Sequence, residues 1–98
     1  MEIVIDELIV EEDRSSHIAK HDVTVTEVVE IVENEYVFVE GKYGRWILIG
    51  LTKKKRMLAV IVGARRKKNV YGLITARVAH RKERILYQKL RQERGGDE

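Results

Sequence analysis

An α+β fold is predicted: an antiparallel β-sheet meander packed with two helices from the N-terminal half and one C-terminal helix. Three observations carry this expectation. Four apolar, β-branched runs, "YVFVE", "RWILIGLT", "MLAVIVGA" and "VYGLITARV", follow one another with only short turns between them. Connections that short favour antiparallel neighbours. A segment with apolar residues at helical spacing precedes these runs, and a charged segment with helical spacing follows them. The chain has 98 residues, no proline and no low-complexity linker, so one domain over residues 1–98 is expected, with a frayed tail at 95–98.

Each element has its own reason. "EIVIDELIV" reads as an N-terminal strand, bent near Asp6. "EEDRSSHIAKH" is a short helix with Asp13 or a nearby serine as its cap. In "VTVTEVVEIVEN", Thr24 and Glu27 have the spacing of a capping box, and Val23 and Val28 that of a hydrophobic staple. Val25, Val28, Val29 and Val32 would face the core. The turns of the meander are "GKYG", "KKKR" and "RRKKN". In the last strand Val70, Ile74, Ala76 and Val78 alternate to one side, with Tyr71, Leu73, Thr75 and Arg77 on the other. Arg77 then points away from the core. "AHRKERILYQKLRQER" closes the fold as a helix, with Ile85, Leu86 and Leu90 toward the sheet. His80, Glu83, Arg84, Tyr87 and Arg91 form a second stripe along it. Glycines 50, 63 and 72 are expected to accommodate sheet twist or bulges.

Composition narrows the function. Cysteine is absent, which excludes a disulfide framework, a thiolate metal site and a thiol nucleophile. No apolar run approaches the roughly 18 residues of a membrane span, and no signal peptide opens the chain. A cytoplasmic protein without membrane partners is expected. The net charge of +3 conceals a division. Residues 1–40 hold 12 acids and 2 bases, while residues 41–98 hold 4 acids and 17 bases. The basic part suggests a polyanionic partner.

Several residues could act on such a partner. Arg77 ends a strand and the stripe from His80 begins within one turn of it. A guanidinium, an imidazole, a carboxylate and a phenol can thus meet. RNA cleavage by the internal 2′-hydroxyl needs such groups: a base for the 2′ proton, cations for the phosphorane, and an acid for the 5′ oxygen. A plain solvated helix face is the competing reading. His17, Lys20 and His21 share a helix face, but the set lacks a third ligand for zinc, so no metal or other cofactor is expected. The loops holding Lys53, Lys54, Lys55 and Arg56, and Arg65 and Arg66, would lie at opposite ends of the sheet. With Arg84 and Arg91 they form a broad RNA-binding footprint. Arg45 adds a cation, and Trp46 is assigned to the core rather than to base stacking.

Three stretches, "HIAKHDVTVTEVVEIVE", "GRWILIGLT" and "ITARVAHRKERILYQ", in that order and spacing, resemble the BrnT-type toxins of type II toxin–antitoxin systems. The resemblance spans about residues 17–88. It implies a fold related to the RelE-like ribonucleases, prokaryotic origin, metal-independent RNA hydrolysis and neutralisation by a cognate DNA-binding antitoxin. By position it carries over Lys20, His21, Arg45, Trp46, Arg77, Glu83, Arg84 and Tyr87. Arg77 and Arg45 would be the phosphate cations, Glu83 or His21 the base, and Tyr87, Lys20 or His80 the proton donor. Asp22 stands where the family usually has glycine, so the turn after His21 could differ in shape. The usual tryptophan-containing start is replaced by "MEIVIDELIVEEDRSS". A non-catalytic RNA-binding or protein-interaction module on the same fold is the alternative, and a homo-oligomer is possible in either case.

Overall fold

In the structure, a computed structural model, residues 3–95 are described. The chain order is β1 (Glu7–Ile9), α1 (Glu12–Ala19), α2 (Val25–Glu33), β2 (Tyr36–Glu40), β3 (Arg45–Leu51), β4 (Met57–Ala64), β5 (Val70–Val78) and α3 (Arg81–Gly95). The fold is α+β, with the expected helices and the expected β2–β5 meander. The sheet is mixed rather than wholly antiparallel. Its order is β1-β5-β4-β3-β2, and β1 lies parallel to β5. The two helices after β1 carry the chain across the sheet, so β1 and β2 form its opposite edges. The long run 2–10 supplies only three strand residues, because Asp6 is tied at the turn: its N–H donates to the Asn69 carbonyl and its carboxylate accepts from the Asn69 side chain. Of the tail expected at 95–98, Gly95 is the last residue of α3, and 96–98 lie outside the described residues.

Helices α1 and α2 cover one face and α3 the other. Ile18, Val23, Val28 and Ile31 pack with Leu48, Leu58, Val60, Val62, Leu73 and Ala76 in the larger core. Tyr87, Leu86 and Leu90 of α3 meet Val37, Ile47 and Ile49 on the opposite face. The α2 capping box forms as expected, with Thr24 Oγ accepting from the Glu27 N–H and Glu27 accepting from the Thr24 N–H. Its buried stripe is rotated from the expected one. Val28 and Ile31 are fully buried, whereas Val29 is exposed. The N-cap of α1 is Glu11, with no side-chain cap bond, instead of Asp13 or a serine.

Two further expectations change for physical reasons. Leu73 and Ala76 share one core although their offset of three positions would put them on opposite faces of a regular strand. A bulge where β5 passes Ile61 and Val62 inserts Ile74 as an extra residue and flips the alternation there. In α3, Ile85 is exposed and Tyr87 is buried, so the phenol belongs to the sheet-facing side. Leu86 and Leu90 pack as expected.

Candidate functional site

The site is built at the joint between β5 and α3. In register across four strands run Val37, Ile49, Ala59 and Arg77. Val37 and Ile49 belong to the core under α3, so Arg77 shares that face and points away from the larger core. Glu83, in the first turn of α3, meets it. Arg77 Nη1 donates to Glu83 Oε1 at 2.7 Å, and Nη2 donates to Oε2 at 2.9 Å. Glu83 Oε1 also accepts the His80 backbone N–H at 2.8 Å. One carboxylate therefore caps the helix start and aims a guanidinium. Burial works against the charge on Glu83, but the Arg77 and His80 hydrogen bonds and the nearby charges outweigh it and hold the carboxyl below the usual carboxylate range.

The fork leaves Arg77 with three of its five N–H donors for another anion. Its side chain keeps 26% of its exposure and that of Glu83 14%. His80 is exposed beside them. This joint can grip a phosphate oxygen while the exposed His80 imidazole stands next to it. Glu83 already accepts three hydrogen bonds, which suits it to hold rather than to take a proton.

The other sequence-derived candidates are spread. Tyr87, one turn along α3, is buried, and its hydroxyl accepts from Arg91 Nη1 at 3.0 Å. Arg91 also lies over the Tyr87 ring and pairs with Glu35. Arg84 is exposed. Lys20 and His21 follow α1 on the opposite face of the sheet, where His21 packs edge-on against His17. Asp22 there adopts a φ of 61°, so the turn keeps a left-handed position without glycine. Arg45 is on the Arg77 face, paired with Gly63, four residues along β4 from Ala59. That offset is roughly 13 Å along the strands.

The basic loops do sit at opposite ends. Lys53, Lys54 and Lys55 are exposed on the β3–β4 turn, at the Arg77 end. Arg56 is held by both oxygens of Glu27. At the other end Arg66 is exposed, while Arg65 pairs with Glu11. A side chain at position 72 would collide with the Arg65 guanidinium. Gly72 thus makes room for an arginine to lie across the sheet. Trp46 is partly buried against the larger core, edge-on to Phe38.

One exposed aromatic escaped the sequence reading. Tyr43 sits at the β2–β3 tip with 92% of its surface exposed. "GKYG" was legible as a turn; the missed signal is a bulky ring where such a turn wants asparagine or glycine.

Comparison with known proteins bears on the fold. The chain is similar in fold to the crystal structure of the Brucella abortus ribonuclease toxin BrnT, with a TM-score of 0.62 and 20% identity. The match covers 76% of this chain and 97% of that one. No family model matches. No curated protein matches either.

Proposed function

We propose that this chain is the toxin of a type II toxin–antitoxin pair and cleaves RNA without a metal, in the cytoplasm. The observation that carries the reading is the Arg77–Glu83–His80 joint, set in a fold shared with a ribonuclease toxin. In this reading Arg77 offsets charge on the phosphorane formed when the 2′-oxygen attacks, and Glu83 keeps the guanidinium aimed. His80 accepts the 2′ proton. The 5′ oxygen leaves toward solvent and takes its proton from water, because Tyr87 is buried and Lys20 lies across the sheet. Lys53, Lys54, Lys55 and Arg84 attract the polyanion. The partner is a small DNA-binding antitoxin that covers the site.

A labelled single-stranded RNA incubated with purified protein in EDTA tests this. Cleavage leaving 2′,3′-cyclic phosphate ends is expected. His80→Asn should slow it about a hundredfold or more, the usual contribution of a proton-transfer group. Arg77→Lys, which keeps the charge but not the fork, should also lose most turnover while still folding, with a lowered melting temperature. The burial of Tyr87, with its hydroxyl engaged by Arg91, favours a second reading, a non-catalytic RNA-binding module. Folded protein that binds RNA with strong salt dependence and never cuts it would establish that second reading.

A further inference from the structure

The β2–β3 tip carries an arrangement that the joint at Arg77 does not use. Arg45 N–H donates to the Lys42 carbonyl, and both residues between them have positive φ, 61° at Tyr43 and 70° at Gly44. This is the pattern of a type I′ turn, whose first central position favours asparagine, aspartate or glycine. A bulky side chain there is a backbone outlier that costs stability. Its ring gains nothing in return from the protein, since it is 92% exposed. The other non-glycine residues at positive φ are Asp22, Lys55 and Asn69. Aspartate and asparagine tolerate that region, so Tyr43 is the costly aromatic among them.

The two turns at this end of the sheet are mostly cationic. The Ala64 N–H donates to the Gly44 carbonyl, which ties this tip to the β4–β5 turn. Lys42, Arg45, Arg66, Lys67 and Lys68 are exposed on these two turns. The nearby acids are partly engaged: Glu11 holds Arg65, and Asp6 holds Asn69. Glu7 and Glu40 remain at the rim. An exposed aromatic amid solvated cations is the recipe for holding a single strand, the cations tracking phosphates and the ring stacking a base.

We infer that Tyr43 is a base-stacking residue for single-stranded RNA, at the end of the sheet opposite Arg77. The inference rests on the RNA reading of the chain and adds a second contact point to it. From Ala59, beside Arg77, to Ala64, beside the tip, β4 rises roughly 17 Å. A strand anchored at both places crosses the sheet over several nucleotides. Tyr43 then positions the strand and takes no part in bond breaking.

The test uses a fluorescent 2′-O-methyl oligoadenylate, which 2′-hydroxyl attack cannot consume, with anisotropy and thermal melting read on each protein. Tyr43→Asn should bind roughly fivefold to a hundredfold more weakly, the range of one base–aromatic stack. It should also melt at a higher temperature, because asparagine relieves the left-handed backbone. Tyr43→Phe should keep the native affinity. Native affinity in Tyr43→Asn, or a lower melting temperature, overturns the role of Tyr43 and leaves the RNA reading standing. Failure of the native protein to bind overturns both.

Discussion

At the scale of single residues, the Arg77–Glu83 pair has a double role, and pH separates its parts. Glu83 caps α3 and orients Arg77 through three short hydrogen bonds. Replacing it with glutamine keeps its size but loses the charged fork, which should cost about 1.5–3 kcal/mol at neutral pH. The sign of the pH effect follows from the lowered pKa. A carboxyl held low in the folded state stabilises the fold at every pH above its ordinary value, and that contribution is lost as pH falls through the folded value. Urea midpoints of the native protein and Glu83→Gln should therefore differ by a constant amount near neutrality. The gap should narrow below about pH 4.3, the unperturbed glutamate value. A gap that stays constant into strong acid would mean that the carboxylate is not the stabilising form.

Among the elements, those whose signal lies within one turn were legible, and those set by a neighbour were not. Thr24 and Glu27 are three residues apart and make the capping box wherever the helix packs. The buried side of α2 is a different matter. Val25, Val28, Val29 and Val32 have helical spacing, but so do Val28, Ile31 and Val32, and only contact with the sheet selects Ile31 over Val29. The β5 bulge, the exposure of Ile85 and the burial of Tyr87 were hidden for the same reason. So was the parallel β1, whose partner is more than sixty residues away. At the joint, Arg77 and Glu83 were readable as a pair because the strand end and helix start are adjacent in sequence. Asp22 shows the reverse, a local departure without structural effect. Asp22 and Val23 donate to the Ala19 and Ile18 carbonyls, closing α1 as glycine would. Asp22→Gly should relieve the small left-handed strain that aspartate largely tolerates and stabilise the protein by less than about 1 kcal/mol. An unchanged or lowered thermal midpoint would show that the aspartate side chain compensates locally.

Over the whole molecule, the acidic first part and basic second part do two things. Glu27 with Arg56, Glu11 with Arg65 and Glu35 with Arg91 join residues 1–40 to the remainder, so part of the asymmetry ties the acidic and basic segments together. Among the cations left exposed, two clusters sit at the two ends of the sheet, on the β3–β4 turn beside Arg77 and on the β4–β5 turn beside Tyr43, while Arg81, Lys82, Arg84 and Lys89 line α3. Among the described residues no helix is long and apolar enough to cross a membrane, and a polyanion is the partner that this charge pattern suits. Counterion release allows the path of that polyanion to be read. Each phosphate neutralised on a single strand adds about 0.7 to the slope of log affinity against log salt. Replacing Lys53, Lys54 and Lys55 with glutamine should therefore lower the slope by up to about 2 if all three touch phosphates. Replacing Arg66, Lys67 and Lys68 should do the same at the far end. If one strand spans the sheet, the two losses add in the combined variant, because the clusters are too far apart to share a phosphate. A slope that falls only with the first set would confine RNA to the Arg77 end, and one that falls with neither would remove both turns from the interface.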